Sequence, residues 1–207
     1  QNKKDLLSIY FTAGFPQLND TMTIPQSLQE AGIDFVEIGM PFSDPLADGP
    51  VIQASSTQAL QNGMSLKVLF DQLKNVRKTI TMPLVLMGYL NPVLKFGVDN
   101  FIAKCKETGI DGLILPDLPF ELYNEKYRKL FEAAGISNIF LITPQTPEER
   151  VKMLDQNAST FLYMVSSAAV TGSKTGLSSF QIDYFERINK LKLSTPRMVG
   201  FGISNND

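Results

Sequence analysis

The chain has 207 residues, 43% of them hydrophobic and 19% charged, a globular composition long enough to bury one sizeable core and too apolar for intrinsic disorder. Nineteen basic against 21 acidic residues leave a net charge of −2, which gives no electrostatic reason to expect a nucleic acid or an anionic membrane as partner. No apolar run approaches the roughly 18 residues of a membrane span, and the opening Gln1-Asn2-Lys3-Lys4-Asp5 lacks the apolar core of a secretory signal.

Short β-rich runs recur along the chain, at 6–12, 35–39, 84–87, 112–115, 139–142, 161–165 and 197–201. Most are continuously apolar, as expected of strands buried on both faces of a parallel sheet. Segments of helical periodicity alternate with them, at 23–31, 66–79, 98–108, 122–134, 147–156 and 178–191. Three of these stop at a glycine that leads straight into a strand: Ala31-Gly32-Ile33, Thr108-Gly109-Ile110 and Ala134-Gly135-Ile136. Thr146-Pro147-Glu148-Glu149 has the hydroxyl, proline and early acids of a helix start. The βα alternation runs unbroken, so a single domain over 1–207 is expected, with room for an extra helix after the second strand. Seven strands exceed the usual five or six of a doubly wound sheet. The expected fold is therefore α/β, a (β/α)8 TIM barrel whose last βα unit is absent from this sequence.

In such a barrel the chemistry lies at the carboxyl ends of the strands, here in the loops 13–20, 40–51, 88–92, 116–120, 143–146, 166–178 and 202–207. There is no histidine, so acid–base work falls to carboxylates, Tyr, Lys or Cys. Glu37 stands inside an apolar strand between Val36 and Ile38. Desolvation there raises a carboxyl pKa towards neutrality and suits it to proton transfer; an ion pair to a helix, or a place in a polar barrel layer, is the alternative. Asp48 follows in a loop shaped by Pro41, Pro45, Gly49 and Pro50. Asp44 and Asp48 can each close a local turn on their own backbone instead, a role that suits Asp44, next to Pro45, better than catalysis. Two acids in unlike surroundings can hold different protonation states and divide the work.

The segment Glu37-Ile-Gly-Met-Pro-Phe-Ser-Asp-Pro-Leu-Ala-Asp-Gly-Pro-Val-Ile-Gln53 resembles the signature of the tryptophan synthase α subunit family. Phe11-Thr-Ala-Gly14, Met87-Gly-Tyr-Leu-Asn-Pro92, Leu115-Pro-Asp-Leu-Pro119, Val170-Thr-Gly172 and Gly200-Phe-Gly-Ile-Ser204 follow in the family's order and spacing. The resemblance implies retro-aldol cleavage of indole-3-glycerol phosphate to indole and glyceraldehyde 3-phosphate, a lyase step of tryptophan biosynthesis. It implies that Glu37 is the general acid and base and that Asp48 holds the indole N–H. Tyr163, Leu115 and Phe201 match pocket walls, Gly172 and Gly202 match backbone donors to the phosphate, and Thr171 matches the lid residue that pairs with Asp48. It also implies no cofactor or metal in this chain, pyridoxal phosphate in a β subunit, and a cytoplasmic α2β2 complex that meets its partner through Pro41, Asp44 and Asn91-Pro92.

Two departures from the family pattern stand out. Ser167-Ala168-Ala169 precedes Val-Thr-Gly where Arg-Ala-Gly is common, and the Gly-Ser phosphate pair after an eighth strand has no counterpart. A non-catalytic scaffold that activates the β subunit and a stand-alone indole-releasing lyase are the alternative functions. Cys105 is expected to pack, its single thiol excluding an internal disulfide, and Lys174 to be a solvated loop lysine.

Overall fold

In the computed structural model the described residues are 5–45, 48–166 and 178–200. They fall into two compact units that meet in sequence between Ser137 and Asn138.

The first unit runs β1 (Ser8–Thr12), α1 (Asp20–Glu30), β2 (Phe35–Gly39), α2 (Pro50–Gln61) and α3 (Leu66–Leu73), then a 3-10 turn (Val76–Lys78) and β3 (Leu84–Met87). It continues through α4 (Leu90–Phe96), α5 (Val98–Thr108) and β4 (Gly112–Ile114). A last helical stretch comprises α6 (Phe120–Leu122), a wider π turn (Tyr123–Tyr127) and α7 (Arg128–Ala134). The strands are parallel and ordered β1-β2-β3-β4, with the two-residue β5 (Ser137–Asn138) at the far edge. Every residue of β2 and β3 is buried, which is why β3 reads as an uninterrupted apolar run and β2 as one broken by Glu37.

Register decides which side chains share a face. Tyr10, Glu37, Val85 and Gly112 stand in one row across the four strands, and Thr12, Gly39, Met87 and Ile114 stand in the next. Residues between these rows, such as Ile38 and Leu86, point to the opposite face and are fully buried. Under α3 to α5, Phe70, Phe96 and Phe101 meet ring to ring at 5.4–6.3 Å between centroids.

The second unit is the parallel trio β6 (Phe140–Ile142), β7 (Leu162–Val165) and β8 (Arg197–Gly200), with α8 (Glu148–Asn157) and α9 (Ser179–Lys190) between them. A Ser178–Gln181 capping box starts α9, satisfying backbone donors at its first turn.

Where the chain follows strong local signals, expectation and structure agree. The strands 35–39 and 84–87 and the helix 98–108 have the expected bounds. The helix-ending glycines 109 and 135 adopt the left-handed φ of 75° and 73° that a side chain resists. Differences lie where local signals are weak. The helix expected over 66–79 stops at Leu73 and resumes as the 3-10 turn. Residues 139–142 form only the second part of a strand run that breaks at Ile139. The helix expected from residue 23 starts at Asp20 and holds Pro25 inside it. Helix α2, rich in Ser, Thr and Gln, fills the room left for an extra helix after the second strand and begins inside the loop expected over 40–51, and α4 begins inside the loop expected over 88–92.

Candidate active site

Glu37 lies at the middle of β2, 4% exposed, with Val36 and Ile38 turned to the other face. The Ser8 hydroxyl donates to Glu37 Oε1 at 2.7 Å. Such a bond offsets part of what it costs to bury a carboxylate.

Asp48 is half-buried in the loop that follows β2. Burial pushes its carboxyl above the usual range, and the Tyr89 hydroxyl, which hydrogen-bonds to it, works the other way. The loop is tied down from α2: Gln53 Nε2 donates to Asp48 O at 2.7 Å, and Gly49 caps the helix with Pro50 in its first turn. Asp44 is exposed and accepts from the hydroxyl of its neighbour Ser43 at 2.5 Å, a bond between side chains where a turn on its own backbone was expected.

Tyr89, at the start of α4, is the link that sequence reasoning missed. It is buried, its ring meets Phe42 of the acidic loop at 5.6 Å, and its hydroxyl reaches Asp48. Asp117 holds this corner by accepting from Leu90 N at 2.9 and 3.0 Å, which gives the aspartate of Leu-Pro-Asp-Leu-Pro a structural task. The signal was present in the Gly-Tyr-Leu-Asn-Pro motif, but nothing local says where a tyrosine hydroxyl lands. Tyr10, Thr12 and Ser55 were missed for the same reason. Thr12 Oγ1 and Ser55 Oγ lie 2.7 Å apart in the buried space between β1 and α2.

Leu115 is buried one residue beyond β4, and the register places its neighbour Ile114 on the face that carries Glu37 and Gly39. Tyr163 is buried on β7 with its ring over Gly200: a Cβ on that glycine would stand 2.0 Å from the tyrosine oxygen. Thr171, Gly172, Phe201 and Gly202 lie outside the described residues, as do Ser167, Ala168, Ala169 and Lys174. Cys105 is buried in α5, and burial alone pushes its thiol up, so it is a poor nucleophile. Among the described residues no group of three or more Cys, Asp and Glu is arranged to hold a metal ion, and no helix is long and apolar enough to cross a membrane.

A buried glutamate on a parallel strand, with a half-buried aspartate on the loop that leaves it, is an arrangement of the kind α/β enzymes use. The family model for the tryptophan synthase alpha chain matches residues 1–207. The tryptophan synthase alpha chain of Flavobacterium psychrophilum is 57% identical over 207 residues, 100% of this chain and 82% of that one. That of Bacteroides thetaiotaomicron is 54% identical over 204 residues, 99% of this chain and 80% of that one. Among solved structures, the tryptophan synthase complex from Pyrococcus furiosus matches with a TM-score of 0.85 at 36% identity, covering 98% of this chain and 80% of that chain. The chain belongs to the tryptophan synthase alpha chain family. Its fold class is the α/β, TIM-barrel class of these structural relatives.

Proposed function

We propose that Glu37 and Asp48 divide the work of a carbon–carbon lyase that cleaves indole-3-glycerol phosphate. Glu37 first gives its proton to indole C3, and positive charge develops on the ring nitrogen, where Asp48 accepts the N–H. Glu37, now a carboxylate, takes the proton of the hydroxyl on the carbon attached to C3. The O–H electrons form the aldehyde carbonyl, the carbon–carbon bond breaks, and its electron pair returns to the ring. Indole and glyceraldehyde 3-phosphate leave, with Glu37 protonated as at the start. The observation that carries this reading is Glu37 itself, a carboxyl 4% exposed in a wholly buried strand, with Asp48 on the loop leaving that strand. An acid–base group so placed contributes about 10²–10⁴ in rate.

Asp48 works ionised, and burial, which opposes that, is countered by Tyr89. Tyr163, Leu115 and Phe201 enclose the indole, backbone N–H groups at Gly172 and Gly202 hold the phosphate, and Thr171 closes on Asp48 as a lid. The chain acts as one domain and needs no cofactor or metal of its own. Its place is the cytoplasm, in an α2β2 complex whose β subunit holds pyridoxal phosphate and consumes the indole. Docking through Pro41, Asp44 and Asn91-Pro92 is supported by the exposure of Ser43, Asp44 and Val51, the last 80% exposed.

The deciding measurement is indole release from indole-3-glycerol phosphate by this chain, with and without excess β subunit. Release that the β subunit accelerates is expected. Equal release in both conditions overturns the partnership, and no release from a folded chain overturns the lyase reading.

A further inference from the structure

Ser8 interrupts the apolar run Leu6-Leu7-Ser8-Ile9 with a hydroxyl that β1 leaves half-buried, where a polar group needs a hydrogen-bond partner. Glu37 supplies one. Ser8 Oγ donates to Glu37 Oε1 at 2.7 Å, the direction a carboxylate imposes because its oxygens only accept. Register sets the side from which the hydroxyl arrives. Ser8 stands level with Phe35 and Tyr10 with Glu37, so Ser8 shares the Glu37 face one row nearer the amino ends of the strands. The loop of Asp48 leaves β2 at the opposite, carboxyl end, after Gly39. Ser8 therefore meets the Glu37 carboxyl from behind, away from a ligand seated at the carboxyl ends of the strands.

Of the residues level with Glu37, Val85 on β3 and Gly112 on β4 do not titrate. Burial pushes the Tyr10 phenol on β1 up to about 12, so it stays neutral near pH 7. Asp48 is the neighbouring acid, and its charge and that of Glu37 both act on that phenol. Ser8 adds a dipole whose positive end is turned to Glu37. A hydrogen bond to an ionised group is stronger than one to its neutral form, so this bond tightens when Glu37 loses its proton and slackens when the proton returns. An interaction that strengthens as a reaction proceeds lowers its barrier, whereas one that stays constant only tightens binding.

We infer that Ser8 is a positioning residue, whose hydroxyl holds Glu37 Oε1 and steadies the carboxylate that forms when Glu37 gives its proton to indole C3. The inference rests on the lyase reading, in which Glu37 enters the reaction protonated and works as a carboxylate between its two proton transfers. Ser8 touches no reacting atom. It acts through Glu37 alone, making the buried acid a stronger one than burial by itself would leave it.

The test is steady-state indole release across pH by the full chain with its β subunit, comparing Ser8→Thr with Ser8→Val. These two replacements have nearly the same shape and differ in the hydroxyl, so their ratio separates the hydrogen bond from packing. Ser8→Val is expected to lower kcat about three- to tenfold relative to Ser8→Thr and to leave KM within about twofold. Loss of a donor to the carboxylate raises the pKa of Glu37, so the alkaline limb of the kcat/KM profile, where Glu37 loses its proton, moves to higher pH by roughly half to one unit. Ser8→Thr keeps that limb where the parent has it, and Ser8→Ala, which adds no bulk, follows Ser8→Val. A lower kcat with the limb unmoved makes Ser8 a packing residue and overturns the inference. Equal behaviour of the Thr and Val variants overturns it as well, and so does a change confined to KM. Absence of indole release from the folded parent overturns the lyase reading itself.

Discussion

Two pairs of parallel strands, one in each unit, are built the same way around unlike chemistry. On β1 and β2, Tyr10 stands level with Glu37, and its hydroxyl end lies over Gly39, two residues further along the neighbouring strand. On β7 and β8, Tyr163 stands level with Met198, and its hydroxyl end lies over Gly200, again two residues further along. Parallel register brings a residue and its partner's i+2 neighbour to the same face, and a glycine there leaves room for an aromatic ring. What differs is the residue between tyrosine and glycine, a carboxylate in one pair and a thioether in the other. The β7–β8 pair packs without an acid at that position, so the packing does not require Glu37. A buried carboxyl that packing does not require fits the acid–base role proposed for Glu37.

The largest effect comes from breaking that difference. Glu37→Gln is expected to lower turnover by about 10²–10⁴, while Met198→Leu at the matching position leaves it within about twofold, both read from steady-state indole release. Comparable losses from the two substitutions would remove the distinction between the pairs. Next come the glycines. Gly39→Ala and Gly200→Ala each force a methyl into a tyrosine ring, at an expected cost of about 1–3 kcal/mol in denaturant unfolding. An innocuous Gly200→Ala would show that only the β1–β2 pair is tightly fitted.

A subtler effect sharpens the electrostatic side. The Tyr89 hydrogen bond favours ionised Asp48, so Tyr89→Phe raises the aspartate's pKa further. In the proposed mechanism Asp48 works ionised, so the acid limb of the kcat/KM profile moves to higher pH; an unmoved limb would detach Asp48 from that limb. The smallest effect concerns the seating of β8. Burial works against ionisation of Asp155, but bonds from Ser194 N at 3.0 Å and Thr195 N at 2.8 Å, with those residues' hydroxyls, hold its carboxyl below the usual range. A folded-state pKa below the unfolded one stabilises at neutral pH, and that stability is lost as pH falls through the folded value. Asp155→Asn is expected to cost about 1 kcal/mol or less, since solvent screens the site, and to cost nothing in acid. A loss that persists unchanged at low pH would trace to packing instead.

The sequence by itself determined the βα alternation and the class of fold, and it singled out the two carboxylates as candidates. These are signals carried by neighbours in the chain: apolar runs, helix-ending glycines such as 109 and 135, and an acid stranded between Val36 and Ile38. The bounds of helices α2 and α4 were hard to read because their polar and proline-bearing sequences are held by contacts made elsewhere, through Ser55 on Thr12 and Asp117 on Leu90 N. Only the tertiary structure decided which side chains meet. Strand register put Tyr10 level with Glu37 across 27 residues of chain and set Ile114 in the row of Gly39. The turn into α4 carried Tyr89 to Asp48. Local sequence fixes backbone conformation through sterics and burial, whereas hydrogen bonds between distant residues depend on a register that the whole sheet settles together.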